Sequence, residues 1–112
     1  MLAGKYRFHS RGGVRYTLSK GKSFHAKAVT MVVSQNSRGG QRFAVVVSKK
    51  VLKSAVGRNR IRRRIYEAIR LNKPDNKVAN DYVFIINSKE IATCPFDEIA
   101  GTINDLLGKT VV

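Results

Sequence analysis

Hydrophobic and polar positions along the chain predict six elements in the order helix, strand, strand, helix, strand, helix. Val14 and Leu18 lie four residues apart, as on one helix face, and Gly21 is suited to end that first helix. Pro95 suits the first turn of the last helix. That helix is predicted to bury Phe96, Ile99, Ala100, Ile103 and Leu107.

The strands are predicted from runs that are rich in β-branched residues. Residues 24–34 and 41–48 are two such runs, and the polar, glycine-containing connector 35–40 predicts a β-hairpin between them. Residues 82–86 form a continuous apolar run, which is typical of a central strand covered on both faces. We therefore expect an α/β (α+β) fold of order αββαβα, in one domain spanning residues 1–112.

The segment from Lys50 to Leu71 has the period of an amphipathic helix. Its apolar stripe is Ile61, Ile65, Ala68 and Ile69, which Val56 continues upstream. The opposite side carries Asn59, Arg60, Arg62, Arg63, Tyr66, Glu67 and Arg70. Arg58 and Arg64 flank the stripe, where their stems can pack while their charged ends stay in water.

Charge narrows the possible functions. The chain has 22 Lys and Arg against 7 Asp and Glu, a net charge of +15, and its first acidic residue is Glu67. A field of one sign over more than half of a small domain indicates a polyanionic partner, because phosphates neutralise the charge and release counterions. The plainer alternative is a solvated basic face with pairs such as Arg63–Glu67, but one acid cannot balance this many cations.

Other classes of protein are not indicated. No apolar run approaches the roughly 18 residues of a membrane span, and residues 1–7 lack the apolar core of a signal peptide. Cys94 is the only cysteine, and neither His9 nor His25 has a partner at metal-ligand spacing. We expect a cytoplasmic protein with no tightly bound metal, no membrane partner and no DNA partner.

The basic segment resembles the signature of the bacterial ribonuclease P protein. The similarity is carried by Ser48-Lys49-Lys50, by Ala55-Val56-Gly57-Arg58-Asn59-Arg60-Ile61-Arg62-Arg63, and by Glu67 and Arg70. It implies a two-layer sandwich that is similar to a ribosomal-protein domain and contains a left-handed βαβ crossover. It also implies a subunit that assists a catalytic RNA in cutting the 5′ leader from precursor tRNA, with Mg²⁺ held mainly by the RNA.

The resemblance also implies where RNA binds. The positions that match the RNA-contacting motif are Lys49, Lys50, Arg58, Asn59, Arg60, Arg62, Arg63 and Arg70. A cleft between the sheet and the N-terminal helix is expected to meet the leader, and its candidate contacts here are Phe8, Val14, Tyr16 and Leu18. The family commonly has aromatic residues where this chain has Val14 and Leu18. Tyr66 replaces a basic residue, and it either stacks on a base or covers the edge of the core.

No residues in the sequence form a recognisable catalytic group, so the chemistry is assigned to the RNA. Three alternatives share some of these features. A ribosomal or ribosome-assembly protein would bind RNA without a nuclease role, and an independent nuclease would need a carboxylate or histidine centre. A DNA-binding helix protein is disfavoured because no dimerisation element is apparent.

Overall fold

Alternation along the strands places apolar side chains on both faces of a four-stranded sheet. The computed structural model describes residues 4–8, 11–36, 39–72 and 79–109. The helices are α1 (Arg11–Lys20), α2 (Ala55–Asn72) and α3 (Phe96–Gly108), and the strands are β1 (Lys22–His25), β2 (Val29–Gln35), β3 (Arg42–Val46) and β4 (Asn80–Ile86). Two 3₁₀ helices, Gly4–Tyr6 and Lys89–Ala92, complete the described elements.

The strand order is β1-β2-β4-β3, which shows that the predicted hairpin between residues 24–34 and 41–48 is wrong. β4 lies between β2 and β3, antiparallel to β2 and parallel to β3. It takes this central place because its apolar run is buried on both faces. The observed hairpin joins β1 to β2, so the first predicted strand is two strands separated by a short turn, and the order is αβββαβα.

The connection from β2 to β3 must therefore cross the end of β4. Gly39 and Gly40 lie in this connection with φ of 75° and 77°, values that residues with a Cβ rarely adopt. The parallel strands β3 and β4 are joined through α2, which forms the predicted βαβ unit. Its left-handed sense stays a prediction.

The main core lies between one face of the sheet and helices α2 and α3. The predicted stripe of α2 is confirmed, since Ile61, Ile65, Ala68 and Ile69 are fully buried. Val56 is 75% exposed in the first turn of the helix, so its assignment to this stripe is wrong. In α3 the buried side chains are Ile99, Ile103, Leu106 and Leu107.

A smaller apolar cluster lies on the opposite face of the sheet, where α1 packs. Phe8, Ala44 and Val83 form its buried centre, with Val14 against them. Gly21 follows α1 at a close approach, because a Cβ there would meet the Thr17 carbonyl oxygen at 2.5 Å. Phe8, Val14 and Ala44 of this cluster also border a cleft.

Candidate nucleic-acid interface

Helix α2 begins without any acidic residue in its first turn. The Ser54 hydroxyl accepts a hydrogen bond from the Gly57 backbone N–H at 3.1 Å and so caps the helix. The positive end of the helix dipole is thus not offset by a carboxylate in that turn. The turn formed by residues 48–51 precedes it, and Lys49 and Lys50 are exposed there.

Several arginines of α2 are bound to the protein itself. Arg58 donates to the carbonyl oxygens of Leu52 at 3.1 Å and Lys53 at 2.7 Å. Arg60 Nε donates to the Ala92 carbonyl oxygen at 2.7 Å. The fork of donors on a guanidinium leaves further N–H groups on each side chain, so these contacts reduce its freedom without removing its charge.

Arg64 is half-buried and is bound to the segment before α3. Its guanidinium donates to the carbonyl oxygen of Ile91 at 2.9 Å and to that of Cys94. These carbonyls lie at the end of the second 3₁₀ helix, where the last carbonyl groups lack partners within the helix. The Cys94 backbone therefore has a structural role, and Arg64, which was expected to keep its charged end in water, ties α2 to the segment before α3.

Arg70 pairs with Glu67 one turn earlier, with Nε 3.0 Å from Oε1. The pKa of Glu67 is lowered to about 2, and the hydrogen bond from Arg70 is the largest of its causes, so the carboxylate stays charged at neutral pH. The only acid of α2 thus offsets the last arginine of the helix.

The cations of α2 that remain available are Arg62 and Arg63. Arg63 is exposed and has no hydrogen-bond partner in the described part of the chain. Arg62 donates to the Asn59 side-chain oxygen at 2.9 Å, which orders both side chains. We call Lys49, Lys50, Asn59, Arg62 and Arg63 the cationic face.

Arg62 also lines a cleft of about 680 Å³ between α1, β3 and α2. The other lining residues are Phe8, Val14, Ala44, Val45, Val46, Val47 and Tyr66. Two of the four predicted leader contacts, Phe8 and Val14, are therefore in the cleft. Tyr16 and Leu18 are 59% and 41% exposed on α1 and do not line it.

Phe8 is held in the cleft wall by a network that the sequence did not reveal. Arg42 lies over its ring, 4.5 Å from the centroid, and Arg42 in turn donates to both oxygens of Asp81 at 2.9 and 2.7 Å. Asn36 adds a hydrogen bond to Asp81 at 3.0 Å. These residues come from separate parts of the chain, so no spacing along the sequence connects them.

Tyr66 packs into the core edge with 4% exposure, which is one of the two roles considered for it. Burial raises the pKa of its phenol above the ordinary value, against the opposing influence of the Val45 backbone and the charges of Arg7 and Arg62. The hydroxyl therefore stays protonated at neutral pH at the wall of the cleft.

Comparison with known proteins identifies the family. The family model described as "Ribonuclease P" matches residues 2–111. The chain is 35% identical over 105 residues to the ribonuclease P protein component of Clostridium kluyveri, covering 93% of each. This chain belongs to the ribonuclease P protein family.

Solved structures agree with this assignment at the level of the fold. The Thermotoga maritima ribonuclease P protein superposes with a TM-score of 0.81 at 24% identity, over 95% of this chain and 98% of that one. The Staphylococcus aureus ribonuclease P protein gives 0.79 at 24% identity, covering 96% of both. The chain is thus a protein subunit of ribonuclease P, the endoribonuclease that processes tRNA 5′ ends, and the ribosomal alternative is set aside.

The ribonuclease P subunit shows neither a metal-ligand cluster nor a membrane span in its described parts. Within residues 4–8, 11–36, 39–72 and 79–109, no three His, Cys, Asp or Glu side chains group as metal ligands. His25 Nδ1 lies 3.3 Å from the Thr30 hydroxyl, and His9 lies outside the described residues. None of the described helices is long and apolar enough to cross a membrane.

Proposed function

We propose that the subunit docks on the RNA of ribonuclease P through its cationic face and receives the 5′ leader of precursor tRNA in the adjoining cleft. The observation that carries this proposal is the position of Arg62. Its side chain belongs to the cationic face through Asn59 and also lines the cleft. One guanidinium thus lies where two RNA strands would approach each other.

The cationic face would act mainly through charge. Each phosphate that a lysine or arginine neutralises releases counterions, so the protein lowers the repulsion between the RNA subunit and its RNA substrate. Arg63, Lys49 and Lys50 are the strongest candidates, because they are exposed and their charge is not used within the fold. Arg58, Arg60 and Arg70 are weaker candidates that would contact RNA through their remaining N–H groups.

The cleft would act through a different chemistry. Most of its lining side chains are apolar, among them the partly exposed Val14 and Val46, and such side chains suit the faces of unpaired bases. Mature tRNA has no leader to place there, so the cleft would favour precursor over product. Mg²⁺ would be held by RNA phosphates, and no residue of this chain is assigned a role in bond cleavage.

A charge-insertion pair tests leader binding. In reconstituted holoenzyme, Val14→Glu places a carboxylate in the cleft, whereas Tyr16→Glu places the same charge on the exposed side of the same helix. We expect Val14→Glu to lower the preference for precursor over mature tRNA by roughly tenfold, through repulsion of leader phosphates. Tyr16→Glu should change the preference less than twofold. Equal effects of both variants, or no effect of either, would contradict leader binding in the cleft.

A charge-removal pair tests RNA docking. Lys50→Ala combined with Arg63→Ala removes two exposed charges from the cationic face, and Lys27→Ala combined with Lys109→Ala removes two exposed charges elsewhere. Only the first variant should weaken binding to the RNA subunit strongly and reduce the salt dependence of binding, by about 0.9 in log–log slope for each duplex phosphate that is no longer neutralised. Equal losses of affinity in the two variants would contradict docking through the cationic face, because they would show that only the net charge of the protein affects binding.

A further inference from the structure

Arg7 lies in the N-terminal segment next to Tyr66, a residue that lines the cleft. It forms a parallel bridge with Phe43, and the next backbone N–H, that of Phe8, donates to the Phe43 carbonyl oxygen at 3.0 Å. Because side chains alternate along an extended segment, Phe8 faces α1 while Arg7 faces α2. The Arg7 guanidinium accordingly lies over the Tyr66 ring, 5.7 Å from its centroid.

The guanidinium of Arg7 has an unused donor. Its Nε is buried and has no hydrogen-bond partner among the described residues, although buried donors are nearly always paired. The residue as a whole is only half-buried. A small rotation towards an incoming acceptor would give Nε a partner, and ligand binding would recover the free energy lost by leaving it unpaired.

The surroundings of Arg7 favour an anion as that acceptor. Arg62 lines the cleft together with Tyr66, and the charges of both Arg7 and Arg62 act on the Tyr66 hydroxyl. The neighbouring acid, Glu67, is paired with Arg70. The oxygens of a phosphate accept hydrogen bonds, and two guanidinium groups and a neutral hydroxyl can donate them. Together these donors can bind more than one oxygen of the same phosphate.

We infer that Arg7, Arg62 and the Tyr66 hydroxyl form a binding site for one phosphate of the leader backbone. This inference rests on the proposed binding of the leader in the cleft. The site reads no base, so it fixes the register of the leader relative to the cleft whatever its sequence. Val14, which is partly exposed and lines the cleft, then contacts the bases beside that phosphate.

The test uses precursor tRNAs that carry one uncharged methylphosphonate linkage at successive leader positions, bound to reconstituted holoenzyme. With the unmodified protein, one linkage should weaken binding by roughly tenfold, as expected when a charge-assisted hydrogen bond is removed. With Arg7→Gln that same linkage should have less than a twofold effect, because its partner is already missing. Arg62→Gln should remove sensitivity at the same linkage, and Lys109→Gln should leave the whole profile unchanged.

Two controls show whether the variants still fold. The first is Arg7→Lys, which keeps the charge but presents no planar fork, and the second is circular dichroism of each variant. Arg7→Lys should keep a reduced sensitivity at the same linkage. The inference is overturned if Arg7→Gln retains the full sensitivity at every linkage. It is also overturned if Arg7→Gln and Arg62→Gln remove the sensitivity at different linkages. A different result would contradict leader binding in the cleft itself: no methylphosphonate linkage weakens binding to the unmodified protein, and Val14→Glu does not change the preference for precursor tRNA.

Discussion

Helices α2 and α3 pack against the same face of the sheet and bury isoleucines in the same way, yet their outer surfaces are opposite in charge. Ile61 and Ile65 in α2 and Ile99 and Ile103 in α3 are at most 1% exposed. The rest of α2 carries six arginines and one glutamate, whereas α3 carries three acids and no base. The buried stripe therefore specifies where each helix lies, and the exposed face specifies what it can bind.

The contrast between the helices also shows that charge composition overstates the binding surface of α2. Arg60 and Arg64 donate to backbone carbonyls just before α3, so part of the positive charge of one helix fixes the approach to the other. Arg63 is the member of the series that is free of such contacts within the described residues. The difference between the helices can be tested at the level of burial, of intramolecular contacts and of charge.

The largest expected effect concerns burial, where the two helices should behave alike. Ile65→Ala in α2 and Ile103→Ala in α3 each remove a fully buried side chain and leave a cavity. Each should lower the free energy of unfolding by about 3–4 kcal/mol, measured by urea denaturation. A decrease below about 1 kcal/mol for either one would show that its helix packs more loosely than described.

Two adjacent arginines of α2 are expected to have different roles, Arg64 in stability and Arg63 in RNA binding. Arg64→Met leaves the carbonyls of Ile91 and Cys94 without a donor and should cost about 2 kcal/mol of unfolding free energy. Arg63→Met should change stability by less than about 0.5 kcal/mol, because its side chain is exposed. The reverse ranking is expected for affinity to the RNA subunit. Equal effects of the two variants in both assays would contradict this division of roles.

Charge reversal compares the outer faces of α2 and α3 directly. Arg63→Glu should weaken RNA binding by roughly tenfold, about 1.4 kcal/mol, since a phosphate contact becomes a repulsion. Asp105→Lys adds a cation to the exposed face of α3 and should change affinity less than twofold, because screening limits its influence on distant phosphates. A large gain from Asp105→Lys would mean that RNA also approaches α3.

A glycine in each helix gives a smaller contrast. Gly101 is exposed in α3 with open space around its Cα, so Gly101→Ala should stabilise the protein by about 0.5–1 kcal/mol in thermal or urea unfolding. In α2, a Cβ at Gly57 would meet a Leu52 methyl carbon at 2.5 Å. Gly57→Ala should therefore leave the stability unchanged or lower it. A clear increase in stability would show that the Leu52 side chain does not lie against Gly57.

The smallest effect concerns the one acid of α2. In the folded protein the pKa of Glu67 is lowered from 4.5 to about 2, with the hydrogen bond from Arg70 as the largest cause. A depressed carboxyl pKa stabilises the fold above the unfolded value, and this contribution disappears as the pH falls from 4.5 to about 2. The stability difference between the unmodified protein and Glu67→Gln should therefore be present at neutral pH and shrink over that range. A difference that does not depend on pH would exclude the ion pair as its cause.

Sequence reasoning worked best where a pattern was local and long. The stripe from Ile61 to Ile69 and the central position of β4 followed from period and run length, which depend on neighbouring residues. The pairing of β2 with β3 was predicted wrongly because adjacency along the chain is only a tendency. Of the predicted leader contacts on α1, the structure places Val14 in the lining of the cleft and Tyr16 and Leu18 outside it, and their contact with the leader stays a prediction.

The sequence alone determined the helices, the apolar runs, the excess of positive charge before Glu67 and the motif that indicates the family. Tertiary structure decided the strand order, the cleft and which arginines remain available. The physical reason is that Arg64 meets a carbonyl 30 residues away and Arg42 meets a carboxylate 39 residues away. A basic run specifies how much charge a helix carries, and only the packed chain specifies how much of that charge can bind RNA.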